Sequence, residues 1–430
     1  MNDGNDMKVF EAFLNCRTVS TDTRNILPGS VFFALKGARF NGNDFALEAL
    51  KQGAAYAVVD EPVGTNEQLI QVDDVLQALQ DCAREYRRYL GIPIVGLTGS
   101  NGKTTNKELF HAVLSKKYTV HATKGNFNNH IGVPLTLLSI PQGTEYAIVE
   151  MGANHQKEIE LLAAICEPNI GYITNYGKAH LEGFGGVEGI IKGKSELYDY
   201  LRGAAGSKVL LNADDPLQVE KSSGCATYSF GTTGADFIWL PKSTTEFASI
   251  CFEAENQVWK VNSQLGGSFN EANLAAAAAL GTLLGVSPSD IVDALEGYLP
   301  AMNRVEWRKT QHNKVLLDAY NANPTSMALS VESFAKWHPE GWMILGDMFE
   351  LGAEAAAEHQ QMVALIEASG MKERCLLVGQ LFGATSWDGL HFESVAALEA
   401  YWNEKGAPKD ASILLKGSRG IALERLLPLL

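Results

Sequence analysis

A soluble α/β protein of three domains is what this sequence predicts, and three observations carry that expectation. The chain has 430 residues, and at about 150 residues per domain three units fit. From Ile92 onward, apolar strands alternate with amphipathic helices, the pattern of largely parallel sheets covered on both faces. A glycine-rich turn at 96–105 falls between one such strand and one such helix, the junction where open α/β sheets place their working loops.

In residues 1–88 the short runs 30–35 (SVFFAL) and 54–59 (AAYAVV) read as strands, because β-branched and aromatic residues cluster between Gly- and Asn-rich turns. A charged, aromatic helix over 81–90 ends at Gly91-Ile92-Pro93, which marks a first boundary. Residues 89–299 form a central parallel-sheet domain. Its strands are expected at 92–98, 118–123, 146–150, 169–174 and 207–212, and its helices at 104–117, 155–166, 187–202, 270–285 and 287–296. The stretch 225–262 lacks helical periodicity and suggests an antiparallel addition. A second boundary falls near Leu299-Pro300. Residues 300–430 then repeat the alternation, with strands at 314–320, 341–347, 374–379 and 411–417 and helices at 325–336 and 353–369, a Rossmann-like doubly wound unit.

Composition removes several function classes. Hydrophobic residues make up 46% and charged residues 20%, an ordinary globular profile. The net charge of −15 repels nucleic acid and anionic membranes, so any anionic ligand must be held by local groups. The N-terminus lacks a basic stretch followed by an apolar run, and no apolar segment reaches the about eighteen residues of a membrane span. A cytoplasmic protein is expected. Cysteines at 16, 82, 166, 225, 251 and 375 are scattered without a CxxC pair. They read as reduced apolar residues, not as metal ligands.

The chemistry concentrates in a few motifs. Gly96-Leu-Thr-Gly-Ser-Asn-Gly-Lys-Thr-Thr105 follows an apolar strand and opens a helix, the context of a phosphate-binding loop. Backbone N–H groups of Gly99, Ser100, Asn101, Gly102 and Thr105 would cradle phosphate oxygens at the helix N-terminus. Lys103 would reach the β- and γ-phosphates, and the Thr104 hydroxyl would ligate Mg²⁺. The spacing is a variant, since Leu97 stands where GxxxxGKT has its first glycine. Glu150 ends the strand YAIVE, where a magnesium-orienting acid belongs, although alone it could instead cap a helix. His180, in a Gly-rich loop after strand 169–174, reads either as a structural hydrogen-bonder or as a ligand. Lys192 and Lys194 read by default as solvated helix lysines.

Taken together, Gly99-Ser-Asn-Gly-Lys-Thr-Thr105, Glu150-Met-Gly-Ala153, Ala179-His180-Leu181 and Gly193-Lys-Ser-Glu-Leu-Tyr198 resemble the Mur ligase family of peptidoglycan synthesis. Ser100 replaces the first Thr of the family's GTNGKT, and the family shares the altered loop spacing. Thr123-Lys-Gly-Asn-Phe-Asn-Asn-His130, Asp318-Ala-Tyr-Asn-Ala-Asn-Pro324 and Gly346-Asp-Met-Phe-Glu-Leu-Gly352 resemble the branch that adds D-Ala-D-Ala. The DNPR motif of the diaminopimelate-adding branch is absent. The likeness runs from Ser20 to about Gly420.

The resemblance implies ATP-dependent amide ligation through an acyl phosphate, joining D-Ala-D-Ala to a UDP-muramoyl tripeptide. It implies that residues 1–88 bind the UDP substrate through Thr21, Asp22, Thr23 and Arg24. Thr104 and Glu150 would hold one Mg²⁺; His180 and a carbamylated Lys194 would hold a second. Asn270 and Asn273 would recognise adenine, though Asn270 alone could be a helix cap. Arg304 would reach the phosphates from the third domain, and Asp318 would hold the ribose, so a hinge is expected near 299–303. Asn128, Asn129, Asn321, Asn323, Lys416 and Ser418 would face the substrates. Asn43 departs from the family's DGH motif, and His130 stands where an acid often follows the paired asparagines. A monomer is expected, because three domains supply a complete site. Two other readings compete: a Mur or folylpolyglutamate-type ligase with another acceptor, and a nucleotide-regulated binding protein without turnover.

Overall fold

The computed structural model describes residues 4–301 and 303–430; residue 302, inside the expected hinge, lies outside the described residues. The expected α/β architecture is present, built on three main sheets.

In the first unit four parallel strands run in the order Val19–Ser20, Val31–Phe33, Tyr56–Val59, Leu69–Gln71. Side chains alternate across this sheet, so Val31 and Phe33 join the large core while Phe32 and Ala57 pack beneath the short helix Ala46–Lys51. The helix expected over 81–90 is longer, Val75–Leu90. Asp74 caps its N-terminus by accepting from Gln77 N, and Gly91, at φ +63°, ends it. The helix Gly4–Cys16 beside it was not expected from the sequence.

Val75–Leu90 also fastens the first unit to the second. Tyr86 donates to the Ile140 carbonyl (2.8 Å), Gln80 to the His130 carbonyl (3.0 Å), and Arg87 to the Glu167 carbonyl (2.9 Å). The cores of the two units are continuous through Tyr86, Ile140 and Cys166.

The central sheet has nine strands. From one edge they run Gln257–Gly266, Phe247–Ala254, Phe237–Pro241, Thr227–Gly231, Lys208–Asn212, Ile170–Ile173, Ile94–Thr98, Tyr146–Glu150 and Val120–Ala122. The antiparallel addition expected over 225–262 begins later than that: Thr227–Gly231 pairs parallel with both neighbours, and the first reversed strand is Phe247–Ala254. Helices cover both faces; the alanine-rich Glu271–Leu283 is small enough to sit tightly against Lys103–Leu114.

The third sheet runs Glu306–Lys309, Lys314–Asp318, Ser412–Lys416, Trp342–Gly346, Cys375–Val378, His391–Phe392, parallel except for the first pair. Pro324–Trp337 and Ala355–Ala368 cover one face, while Val395–Lys405 and the C-terminal turns cover the other. All six cysteines are unpaired. No helix among the described residues is long and apolar enough to cross a membrane.

Candidate active site

The strand Ile94–Thr98 is wholly buried inside the central sheet, two strands in from its Val120–Ala122 edge, so the loop after it is delivered at a fixed position. Gly99, at φ +139°, brings that loop against the next strand; a Cβ there would lie 1.9 Å from Thr174 Oγ1. Gly102, at φ +78°, turns the chain into the helix Lys103–Leu114. Ser100 Oγ and Asn101 Nδ2 are buried in this turn without a hydrogen-bond partner. Lys103 folds back to donate to the Gly99 carbonyl (2.7 Å), and burial of its ammonium pushes its pKa down despite the nearby Glu150. A buried cation, unpaired donors and a helix N-terminus make this turn an anion receptor.

Glu150 stands beside it, 2% exposed, at the C-terminal end of the adjacent strand. Thr104 Oγ1 donates to one carboxylate oxygen (3.1 Å) and Asn128 Nδ2 to the other (2.9 Å), while Thr123 Oγ1 accepts from the Glu150 backbone N–H (2.9 Å). Lys107, which the sequence did not mark out, is buried under this group and donates to the Thr123 carbonyl (2.7 Å). Asn270 and Asn273 meet the same helix: Asn106 Nδ2 donates to Asn273 Oδ1 (2.8 Å), and Asn273 Nδ2 to Asn270 Oδ1 (2.7 Å).

Lys194 is not a solvated lysine. It is fully buried, its Nζ 3.2 Å from the Ala153 carbonyl and 4.9 Å from the centre of the Phe184 ring. Desolvation first, and the Lys103 charge second, push its pKa far down. His180 has φ +55°, an uncommon conformation for a residue with a Cβ. Its Nδ1 lies against the Glu350 carboxylate of the third unit, off the axis of a proper hydrogen bond. That contact, ahead of opposing desolvation, holds the Glu350 carboxyl below the usual carboxylate range.

The third unit is docked on the second. Asn323 Nδ2 donates to Asn101 Oδ1 (2.6 Å), Thr325 Oγ1 accepts from Lys178 N (2.9 Å), and Lys178 Nζ reaches Glu358 (2.5 Å). Asn323 also caps Pro324–Trp337, accepting from Ser326 N at 2.9 Å. Arg304, between Asn303 and Val305 that both have positive φ, stacks on Tyr320 at 3.6 Å, and its buried Nε has no hydrogen-bond partner among the described residues. Tyr320 carries Arg419 on the ring as well, at 5.3 Å. Asp318 is paired with the buried Lys416 and accepts from Ser330 Oγ (3.0 Å).

These groups enclose one cavity of about 930 Å³. Ser100 to Thr105, Asn128, Asn129, Glu150, His180, Asn270, Asn273, Arg304, Asp318, Asn321, Asn323 and Lys416 all line it. Gly99 and Lys194 lie behind the lining. Ser418 is turned away from it, accepting from Phe349 N (3.0 Å). Thr21, Asp22, Thr23 and Arg24 are not part of the wall; Arg24 is largely exposed and grips Asp22. Asn43 is buried and joins Asn41 to Asp60, a structural role, whereas His130 lines the cavity.

Three family models match in sequence: Mur ligase family, catalytic domain, over residues 15–87; Mur ligase middle domain over 97–281; and Mur ligase, glutamate ligase domain, over 303–419. The UDP-N-acetylmuramoyl-tripeptide–D-alanyl-D-alanine ligase of Bacillus subtilis is 36% identical over 425 residues, covering 95% of this chain and 92% of that protein. The chain belongs to the Mur ligase family. Among solved structures, MurF of Acinetobacter baumannii superposes with a TM-score of 0.87 at 30% identity, over 98% of this Mur ligase and 97% of that chain. MurF of Thermotoga maritima, in complex with ADP, gives 0.85 at 26% identity over 97% of each.

Proposed function

We propose that this Mur ligase joins D-Ala-D-Ala to UDP-N-acetylmuramoyl-tripeptide, converting ATP to ADP and phosphate. The observation that carries the reading is the single cavity. A phosphate loop with its acid forms one wall, and an unpaired arginine from another domain forms the opposite wall. Likeness to D-Ala-D-Ala ligases over nearly the whole length supports the choice of acceptor.

A terminal carboxylate of the tripeptide attacks the γ-phosphorus, and ADP leaves. The acceptor amine then attacks the acyl carbon, and phosphate leaves. The first step brings two anions together, so the cavity has to supply fixed positive charge. Lys103 and the loop N–H groups hold the β- and γ-phosphates, and Arg304 reaches the transferring group from the third domain. Asn270 and Asn273, at the base of the loop helix, take the adenine side, and Asp318 the ribose side, with Lys416 fixing Asp318. Asn128, Asn129 and Asn321 face the muramoyl peptide. Asn323 and Ser418 serve that side indirectly, as helix cap and loop anchor.

Thr104 and Glu150 fit Mg²⁺: hard oxygen donors, few in number, beside a phosphate site. Among the described residues no cluster of three or more His, Cys, Asp or Glu forms a protein-only metal cage. His180 and Lys194 serve a second Mg²⁺, with Lys194 as its carbamate. A buried amine whose pKa is pushed down takes up CO₂ more readily, which turns a misplaced cation into an oxygen ligand. Bound metal neutralises charge developing on the phosphoryl oxygens. Thr21, Asp22, Thr23 and Arg24 bind the distant UDP end. One chain supplies both walls, which supports a monomer working in the cytoplasm.

Phosphate release measured with the UDP-tripeptide and D-Ala-D-Ala, against single amino acids and glutamate, tests the reading. Release specific to the dipeptide is expected. Release with glutamate alone would move the chain to a folylpolyglutamate-type activity, and no release at all would make it a binding protein.

A further inference from the structure

The acceptor arrives with a charge problem. A free α-amine is largely ammonium at neutral pH, yet the cavity is lined by Lys103, Arg304, His180 and Lys416. An ammonium has to meet a carboxylate to settle there. Five acids line the cavity: Glu150, Glu158, Asp215, Asp318 and Glu350.

Four of them each hold groups of this chain through at least one oxygen. Glu150 accepts from Thr104 and Asn128. Glu158 accepts from the backbone N–H groups of Asn154 and His155 (2.7 and 2.9 Å). Asp215 caps a helix through Leu217 N and Gln218 N. Asp318 holds Ser330 and Lys416. Glu350 differs: among the described residues its carboxylate touches only His180 Nδ1, through one oxygen, and its side chain is 56% exposed. Its backbone is nevertheless fixed. Glu350 sits at φ +61°, and its carbonyl accepts from Glu182 N (3.3 Å) across the domain junction. The carboxylate therefore stands beside His180, on the side that the third domain contributes.

We infer that Glu350 is the acceptor-binding residue that receives the ammonium of D-Ala-D-Ala beside His180 and, once that ammonium has given up a proton to solvent, leaves the neutral nitrogen facing the acyl carbon. The inference rests on the ligase reading given above and goes beyond it by naming the amine subsite. Docking of the third domain then delivers the phosphate-facing Arg304 and the amine-facing Glu350 together.

Hydroxylamine separates this role from others, because it is a small, uncharged nucleophile that traps an acyl phosphate as a hydroxamate without needing an ammonium subsite. In Glu350→Gln the KM for D-Ala-D-Ala should rise about tenfold or more, as for a lost hydrogen bond to a charged group. The KM for ATP should stay, and hydroxamate formation should fall less than about threefold over the same scale. Glu350→Asp, which keeps the charge, should lie between Gln and the native enzyme. If hydroxamate formation and dipeptide ligation drop in step, Glu350 acts through His180 and the inference fails. An unchanged dipeptide KM also overturns it. A native enzyme that forms neither hydroxamate nor ligated product would overturn the ligase reading itself, and this inference with it.

Discussion

The two walls of the cavity are built differently. The central-domain wall is locked before any ligand arrives: Glu150 is held by Thr104, Asn128 and Thr123, with Lys107 buried beneath them. The third-domain wall has one locked pair, Asp318 with Lys416, but its forward groups are loosely tied. Among the described residues the Arg304 guanidinium has only the Tyr320 face, between two residues of positive φ, and the Glu350 carboxylate has only an off-axis contact with His180. The nucleotide wall is rigid because electrostatic stabilisation of the phosphates works best with dipoles that need no rearrangement. The opposite wall must separate to admit substrates and release product, so its forward groups are held chiefly by docking.

The largest effect should come from the rigid wall. Lys103→Ala removes the loop's only ammonium and should lower turnover by roughly 3 kcal/mol or more, on the order of a hundredfold. Near-normal phosphate release by this variant would contradict the assignment of the loop.

Lys194 tests whether the same wall also holds a masked anion. Were its positive charge the useful feature, Lys194→Arg would keep much activity. As a carbamate it cannot be replaced by Arg, since guanidinium neither takes up CO₂ nor binds Mg²⁺. Lys194→Ala should be nearly inactive and partly restored by acetate or formate. Because burial pushes the amine pKa down, more of the neutral form that takes up CO₂ is present at any given pH than for a solvated lysine, and activity should fall as pH is lowered. An active Lys194→Arg enzyme would end the carbamate proposal.

Arg304→Ala should sharpen the contrast from the other side. ADP affinity of the full chain should change by less than about threefold while kcat falls about tenfold or more, the signature of a contact made mainly in the transition state. Equal losses in both would mean that the two walls act as one rigid body.

The same contrast explains how much of the molecule was legible in sequence. The rigid wall is written in contiguous segments, 96–105 and 146–150, where strand, glycine and helix signals reinforce one another. The docked wall is made by pairs such as Asn101 with Asn323 and His180 with Glu350, well over a hundred residues apart, and single-sequence periodicity carries no trace of them. Lys107 was missed because a Lys-Glu pair on a helix reads as a solvated face; nothing local says that Thr123 will cover it. The early start of Val75–Leu90 was readable, since Asp74 is a good N-cap, but the charged, aromatic stretch from Asp81 outweighed it. Gly4–Cys16 carries polar residues in its first turn, and it is fixed by packing on Val75–Leu90 rather than by its own propensity.

The smallest effect probes one corner where the walls meet. Asn323 does two jobs with one side chain: its Oδ1 caps a helix and its Nδ2 donates to Asn101 in the phosphate loop. Asn323→Asp separates them, because Asp caps a helix as well as Asn does and its charge suits the helix N-terminus. Thermal stability should therefore hold. Across the junction the donor is lost and a carboxylate faces the loop that must receive a triphosphate. Asn101 could turn its amide over and donate to the new carboxylate, which would keep the domains docked but reorganise the loop. Either way the cost falls on ATP, and its KM should rise about fivefold, the value of one hydrogen bond of about 1 kcal/mol. A variant with unchanged melting temperature and unchanged KM for ATP would show that this corner joins the walls without tuning the nucleotide site, leaving the contacts of Lys178 with Thr325 and Glu358 and of Glu182 with Glu350 to set their approach.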